Sequence, residues 1–361
     1  MHILCCITPH GFGHAAQTAV VVNALRQRVP GLRLSLQTTV PEWFLASRIE
    51  GPFELHPEAT DFGLLMDSAL DIDLEASARA YARQHAEWSQ RLAAQVDFLR
   101  RLEPDLVLAN VPCLPLLAAR QAGCPAVALC SLNWLGIYRH YFAGRPEAPA
   151  VLAQMRTAYQ SADVFLAPEP AMPMPELDGV RPIGPLARLG RRRREAIDAR
   201  FGLAPDARLV LVALGGVGAR LPVGRWPRQP DVHYLVPAAW GVAHPQAIPL
   251  ESLEMDFSDL LASADALLGK CGYGTVAECA CNATPLLYIP RPEWPEEPWL
   301  LDWLRRHGNA EPVAREQLEA GGPAEALTRL WAQPRSRPPR PDGAGQAVAQ
   351  LMALLGMGGG Q

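Results

Sequence analysis

Lysine is almost absent from this chain: of its 33 basic residues, Lys270 is the one lysine. Acidic residues outnumber basic ones, and a formal net charge of −4 excludes a nucleic-acid partner held by bulk positive charge. Long apolar runs are also missing, because no stretch approaches the roughly 18 residues of a membrane span. The apolar start at residues 3–7 lacks the basic flank of a signal peptide. The sequence therefore predicts a soluble, cytoplasmic protein without a membrane span.

Cysteine pairs at metal-binding spacing are a further absence. The eight cysteines include no C-x-x-C pair and no paired histidine spacing, so neither a zinc site nor a disulfide framework is indicated. Hydrophobic residues reach 49% and charged residues 19%, which is typical of a compact globular protein. A length of 361 residues is enough for two domains of ordinary size or one unusually large one.

Apolar runs of strand length alternate with helical patterns along the first half of the chain. The run at residues 3–8 is followed by a glycine loop and a helical pattern at 15–28, and further runs occur at 32–38, 105–109, 126–130 and 163–167. This alternation predicts a doubly wound α/β sheet over residues 1–167. Prolines are frequent in residues 168–185 and predict a hinge that continues neither a sheet nor a helix.

The same pattern restarts after the hinge. An apolar run at 208–214 leads into a second glycine loop, and strand-like runs at 265–268 and 285–289 flank a helical pattern at 275–282. We expect a second Rossmann-like domain over residues 186–333. Residues 334–361 are expected to form a Pro/Arg-rich linker, a helix at 344–355 that packs on the N-terminal domain, and a frayed glycine-rich end.

A histidine follows the first glycine loop. His14 stands where a strand gives way to a helix, which is the place where α/β sheets present ligands. As a general base it would take the proton from an acceptor hydroxyl; alternatively it is a helix histidine that satisfies nearby backbone groups. His10 lies in a loop broken by glycines that does not align two metal ligands, so no metal site is predicted.

The second candidate lies in the loop before the helix at 275. Gly272 and Gly274 let a ligand approach the backbone, and the helix start favours negative charge, so the sequence predicts an anion site; a tight turn is the alternative. Lys270 directly precedes this loop. A compact cation there suits a phosphate, although one lysine is also what chance would give.

Several motifs of this chain, taken together with their order, resemble those of a known family. The segment 264–290 resembles the nucleotide-sugar-binding half of GT-B glycosyltransferases, and the loop 11–14 resembles their acceptor-side loop. A more specific likeness is to the predicted-glycosyltransferase family that also forms the N-terminal half of plant L-arabinokinases. It rests on residues 10–15, on Trp134 with Tyr138, and on the segments 269–278 and 296–298. The resemblance implies two Rossmann-like doubly wound domains facing across a cleft, with a C-terminal helix after the Pro-rich linker.

The resemblance also implies a function. A metal-independent enzyme of this family would move a sugar from a nucleoside diphosphate, here UDP, to an unidentified hydroxyl acceptor, with no cofactor beyond the donor. His14 would be the base. Asn110 stands where the relatives tend to have an aspartate; it could fix the histidine tautomer but supplies no charge. A nucleotide-sugar epimerase or hydrolase of the same fold and a noncatalytic sugar-nucleotide-binding module remain alternatives.

Further site residues are implied by the same likeness. Glu278 would bind the ribose hydroxyls, but together with Thr275 it also fits a capping box. Glu296 and Glu297 would contact the donor sugar, and Glu297 also begins a helix, where acids are favoured anyway. The remaining donor-side residues are Gly215, Gly216, Lys270, Gly272, Tyr273, Gly274 and Thr275. The acceptor-side residues are Gly11, Gly13, Trp134 and Tyr138, for whose aromatics core packing is the alternative.

Overall fold

The computed structural model describes residues 1–216, 218–334 and 336–357. Val217 of the second glycine loop and the last four residues, for which fraying is predicted, lie outside the described residues. The chain divides into two compact units. The first contains residues Met1–Asp67, Asp71–Leu186 and the segment from Asp342 onward, and the second contains Ser68–Leu70 and Ala187–Pro341.

The first unit is a parallel α/β sheet. Its strands are β1 (His2–Ile7), β2 (Arg33–Gln37), β3 (Glu54–His56), β4 (Leu106–Asn110), β5 (Ala126–Leu129), β6 (Val164–Pro168) and β7 (Val180–Ile183). The helices between them are α1 (Gly13–Arg28), α2 (Glu42–Arg48), α3 (Leu74–Ala86), α4 (Trp88–Leu102), α5 (Leu114–Ala122), α6 (Trp134–Phe142) and α7 (Ala148–Tyr159). The strand order is β3-β2-β1-β4-β5-β6-β7. The central strands β1 and β4 are buried along their whole length, as in parallel sheets covered on both faces.

One expectation for this unit is wrong. Residues 168–185 were expected to leave the sheet because of their prolines, but Val180–Ile183 forms β7 and pairs in parallel with β6. β7 is an edge strand with one open side. Pro182 lacks a backbone N–H, and a proline is tolerated at an edge because that side has no partner strand to lose.

The second unit repeats the arrangement with six parallel strands. They are β8 (Arg208–Ala213), β9 (Val232–Val236), β10 (Ala247–Pro249), β11 (Ala266–Lys270), β12 (Leu286–Ile289) and β13 (Ala310–Pro312), in the order β10-β9-β8-β11-β12-β13. Its helices are α8 (Arg194–Phe201), α9 (Phe257–Ser263), α10 (Tyr273–Cys281), α11 (Glu297–His307), α12 (Arg315–Ala320) and α13 (Ala324–Trp331). Short 3₁₀ turns occupy Val223–Arg225, Ala238–Trp240 and Leu250–Leu253. Two Rossmann-like domains are therefore confirmed.

The C-terminal helix α14 (Gly343–Leu354) belongs to the first unit, where it packs on α1 and β7. No helix among the described residues is long and apolar enough to cross a membrane.

The strand order locates one ligand-binding edge in each sheet. The order reverses between β1 and β4 in the first unit and between β8 and β11 in the second. In open parallel sheets, ligands bind beyond the carboxyl ends of the strands at such a switch point. These two places carry the loop before His14 with Asn110, and the loop after Ala213 with Lys270.

Candidate functional site

The switch point of the first unit joins His14 to Asn110. His14 is the second residue of α1, and Asn110 is the last residue of β4. Nδ1 of His14 and Oδ1 of Asn110 are 2.9 Å apart, while the Asn110 amide donates to Gln17 Oε1 at 3.3 Å. The amide oxygen therefore accepts the Nδ1 proton, which leaves the lone pair on Nε2. Nε2 makes no hydrogen bond to any described residue.

Burial sets the protonation state of this histidine. His14 is 6% exposed and Asn110 is fully buried. Desolvation lowers the pKa of His14 to about 4, against a smaller raising effect of the hydrogen bond to Asn110. At neutral pH the imidazole is thus uncharged and holds a free lone pair, as a general base must.

Trp134 and Tyr138 lie on α6 with different neighbours. The Trp134 ring packs near both histidines of the loop, with its centroid 5.3 Å from that of His10 and 5.7 Å from that of His14. Tyr138 is 5.0 Å from Tyr81 in an aromatic cluster. Both aromatics are fully buried, so packing accounts for Tyr138, whereas Trp134 forms part of the surroundings of His14.

The two glycines of the first loop, Gly11 and Gly13, differ in their backbone roles. Gly11 has a φ of +69°, a conformation that favours glycine, and the turn it allows brings the chain into α1. A Cβ on Gly13 would meet nothing within 4 Å, and Gly13 is exposed. The start of α1 is therefore open on the side of this residue.

The switch point of the second unit contains the lone lysine. Lys270 ends β11, and Gly215 follows β8 with a φ of +83°. A Cβ on Gly215 would lie 3.4 Å from Cε and 3.9 Å from Nζ of Lys270, so the glycine turn covers the lysine side chain. Gly216 beside it is exposed. Lys270 makes no hydrogen bond or ion pair with any described residue.

The charge of Lys270 is consequently not neutralised by a carboxylate. Burial, together with a smaller effect of the neighbouring positive charge of Arg291, lowers its pKa to about 8. The ammonium is nevertheless charged at neutral pH. A half-buried cation without a partner among the described residues is costly, and an anion that binds beside it would reduce that cost.

Helix α10 begins next to this cation. Its N-cap is Gly272, and no side chain among the described residues caps it. Its first turn holds Tyr273, Gly274 and Thr275 and no acidic residue. A Cβ on Gly272 or Gly274 would meet nothing within 4 Å. The N–H groups at an uncapped helix start are donors for an anion.

The capping-box interpretation of Glu278 is wrong. It requires Thr275 as the N-cap, but α10 already begins at Tyr273, so Thr275 lies inside the first turn. Glu278 lies one turn further along and is 6% exposed. Ribose binding by Glu278 stays a prediction.

Glu296 and Glu297 are buried at the start of α11. Glu297 Oε1 accepts a hydrogen bond from the Arg291 backbone at 2.8 Å, and its Oε2 is buried without a hydrogen bond. Glu296 Oε2 accepts from Trp294 Nε1 at 3.3 Å. Arg291 also donates to the carbonyl oxygen of Cys271, next to Lys270. Arg291 therefore links Glu297 at the start of α11 to the loop at Cys271.

Three groups that surround the predicted residues were not predicted from the sequence. Thr8 and Asp61 are linked to Trp134 by hydrogen bonds, and Arg291 supports the loop at Cys271. The polar Thr8 directly after an apolar strand was a usable signal, because the carboxyl end of β1 is where ligands bind. Asp61 lies in a loop far along the chain and gives no local signal.

Curated relatives match most of the chain, whereas no protein-family profile matches it. The L-arabinokinase of Arabidopsis thaliana is 25% identical over 327 residues, which cover 87% of this chain and 30% of that protein. The chain thus spans less than a third of the length of this relative. An uncharacterized glycosyltransferase of Methanopyrus kandleri is 25% identical over 305 residues, which cover 78% of this chain and 86% of that protein.

Solved structures of glycosyltransferases share the architecture. The calicheamicin glycosyltransferase CalG4 aligns with a TM-score of 0.62 at 20% identity and covers 98% of both chains. VinC in complex with dTDP aligns with a TM-score of 0.56 at 16% identity, covering 98% of this chain and 96% of its own. Arabidopsis thaliana UGT89C1 complexed with UDP aligns with a TM-score of 0.54 at 15% identity, covering 97% and 94%. The chain therefore has the GT-B glycosyltransferase fold, which confirms the fold and the resemblance that the sequence predicts.

Proposed function

We propose that this chain is a glycosyltransferase that moves a sugar from a UDP-sugar to a hydroxyl acceptor. One observation carries the proposal: Lys270 is a cation without a partner among the described residues, and it stands beside the uncapped start of α10. The fold and the glycosyltransferase relative support the reaction class. UGT89C1, which has the same fold, was solved with UDP.

The donor diphosphate would be held by charge and by backbone N–H groups. Lys270 would meet one phosphate, and the N–H groups of the first turn of α10 would meet the other, with Gly272 and Gly274 permitting close approach. These contacts gain strength as the glycosidic bond breaks, because negative charge then develops on the leaving diphosphate. Lys270 and the helix would supply this charge stabilisation without a divalent cation, so we expect EDTA to leave turnover unchanged.

The acceptor would be activated in the first unit. Nε2 of His14 takes the proton of the acceptor hydroxyl, the acceptor oxygen bonds to the anomeric carbon, and the bond from that carbon to the diphosphate oxygen breaks with release of UDP. Asn110 keeps the Nδ1 proton in place during this transfer. It cannot stabilise the imidazolium by charge, so the base depends on orientation more than an Asp-paired histidine does.

Product analysis with a panel of UDP- and dTDP-sugars tests the proposal. The protein is incubated with each donor and a set of hydroxyl compounds, and nucleotide and sugar products are separated. We expect one donor to be consumed with equal amounts of free nucleotide and a new glycoside. Free sugar alone would indicate a hydrolase, an epimerised donor would indicate an epimerase, and binding without turnover would indicate a noncatalytic module; each of these results contradicts the proposal.

A further inference from the structure

The loop that follows β3 places a carboxylate in the hydrogen-bond network of Trp134. Asp61 Oδ2 accepts a hydrogen bond from Thr8 Oγ1 at 2.7 Å. The same Thr8 oxygen accepts from Trp134 Nε1 at 3.1 Å and from the Val111 backbone at 3.3 Å. A hydroxyl has one hydrogen and two lone pairs, so these three bonds use the full capacity of Thr8. The indole thus donates to Thr8, and Thr8 donates to Asp61.

The same loop holds the indole ring by contact. Gly63 has a φ of +70°, and a Cβ there would lie 2.7 Å from two ring carbons of Trp134. Nδ1 of His10, whose ring packs on Trp134, is 3.1 Å from the carbonyl oxygen of Leu64. The tryptophan that packs against His14 is therefore fixed by one loop, both by packing and through Thr8.

The surroundings of Asp61 have opposing effects on its pKa. Burial raises the pKa of the carboxyl group to about 7, while the hydrogen bond from Thr8 and the charge of Arg91 on α4 act against this increase. The other titratable groups that face it are uncharged at neutral pH, because burial raises the pKa of each: Cys6, Tyr81, Cys113 and Tyr159. Arg91 is thus the one charged group among these neighbours.

A proton on Asp61 does not fit the network. On Oδ1 it would have no acceptor, since this buried oxygen has no hydrogen-bond partner. On Oδ2 it would point at Thr8, whose two lone pairs are already taken by Trp134 and Val111. Protonation therefore forces at least one buried donor to give up its bond, at a cost typical of an unsatisfied polar group.

We propose that Asp61 is a positioning residue of the acceptor side: through Thr8 it fixes the indole of Trp134 against His14, and protonation of Asp61 releases the indole N–H. The catalytic meaning of this network rests on the proposed function, in which His14 is the base. The network itself can be measured without any sugar, nucleotide or acceptor.

The test is an NMR titration of the protein labelled with ¹⁵N at the tryptophan indoles. The Trp134 signal is identified by its loss in Trp134→Phe and is followed from pH 5 to pH 9. We expect it to move with a midpoint near pH 7 as Asp61 ionises and Thr8 is locked. A Trp134 signal that does not change over this range would overturn the proposal.

Variants separate positioning from general stability. Asp61→Asn removes the carboxylate and should abolish the transition near pH 7, whereas the matched control Asp67→Asn, at an exposed aspartate near the same loop, should behave as the parent. Thr8→Ser keeps the hydroxyl and should keep the titration, whereas Thr8→Val should lose it. If Asp61→Asn does not fold, Arg91→Gln serves instead: loss of its positive charge should move the midpoint to higher pH. An unchanged midpoint in Asp61→Asn or Arg91→Gln would contradict the proposal.

The outcome is independent of the donor assignment. Asp61→Asn should leave the thermal stabilisation by UDP at its parental size, because the proposed anion site lies in the second unit. A titrating indole in a protein that does not bind UDP would retain Asp61 as the positioning residue and refute the proposed function alone. UDP binding together with a Trp134 signal that does not titrate would refute the role of Asp61 and leave the proposed function standing.

Discussion

Two helix starts, those of α1 and α10, lie at switch points of their sheets, and each has a basic side chain nearby: the buried His14 and the half-buried Lys270. Burial lowers the pKa of both, because a low-dielectric environment disfavours the charged form. The pKa of His14 falls to about 4 and that of Lys270 to about 8. At pH 7 the same physical effect leaves the histidine neutral and the lysine charged.

The difference in charge between His14 and Lys270 suits the two switch points to different chemistry. The ring of His14 has a fixed Nδ1 proton and an unoccupied Nε2, which suits proton uptake. The ammonium of Lys270 has no counter-ion among the described residues and suits an anion. We therefore propose that the carboxyl ends of the strands bind an acceptor hydroxyl in the first unit and a diphosphate in the second.

The largest effect is expected for His14→Ala. Loss of a general base costs roughly 10²- to 10⁴-fold in rate, so transfer of the sugar should fall by that factor with the donor and acceptor found in the panel. UDP binding should stay unchanged, because the anion site lies in the other unit. Steady-state kinetics with UDP calorimetry checks both. The control His140→Ala, at an exposed histidine of the same unit, should retain parental rates.

Gly274→Asp should abolish stabilisation by UDP. In the parent, UDP at a hundredfold excess over Kd should stabilise the fold by ~2.7 kcal/mol. The new carboxylate would fit sterically, since nothing lies within 4 Å of the Cβ position, but it would place negative charge in the anion site. Thermal unfolding with and without UDP measures the loss.

Gly345→Asp is the matched control for that variant. Gly345 lies in the first turn of α14, where a Cβ also meets nothing within 4 Å. This variant should keep the full thermal shift. If Gly274→Asp kept it as well, UDP would not bind at the start of α10.

Asn110→Asp replaces the neutral hydrogen-bond partner of His14 by a carboxylate. A carboxylate next to Nδ1 favours the charged imidazolium and should raise the pKa of His14 by roughly 1 to 3 pH units. Parent and variant are compared by NMR titration of ¹³C-labelled histidine, with His14 assigned by its loss in His14→Gln. Unfolded chains bind more protons than the folded parent between pH 4 and pH 6.5, so the parent should lose stability as the pH falls through this window.

The variant should lose less stability over the same range, because its folded state takes up the proton more readily. An identical His14 titration in parent and variant would mean that position 110 does not control this imidazole. The transfer rate at neutral pH is not the readout, since a stronger base and a smaller neutral fraction act against each other.

The sequence predicts both helices, but each predicted start lies two residues after the observed one. The sequence predicts helices that begin at Ala15 and Thr275, whereas the backbone helices begin at Gly13 and Tyr273. Glycine and tyrosine give no apolar period there, and the two extra residues are what bring His14 and Thr275 into the first turns. The capping-box interpretation of Glu278 was wrong for this reason.

Other parts of the molecule depend on contacts between distant residues. Asp61 meets Thr8 across 53 positions of sequence, and no local pattern indicates that pairing. β7 is short and contains Pro182, so its place in the sheet comes from pairing with β6 and from its edge position, which overrides the local composition. Strands such as β1 and β4 could be predicted, because strands that are buried on both faces have nearly continuous apolar sequences.

The most direct test of the anion site is the affinity for UDP as a function of pH in the parent and in Lys270→Met. A hydrogen bond to a charged group contributes about 1.5 to 3 kcal/mol, so at pH 7 the variant should bind UDP roughly 10- to 100-fold more weakly. In the parent, affinity should decrease as the pH rises through about 8, because free Lys270 then loses its charge, and the two proteins should converge. Arg228→Met, at an exposed arginine ahead of β9 and away from the carboxyl ends of the strands, should bind as the parent. Equal UDP affinity and the same pH dependence in parent and Lys270→Met, or no binding in either, would contradict the assignment of the donor site to this lysine.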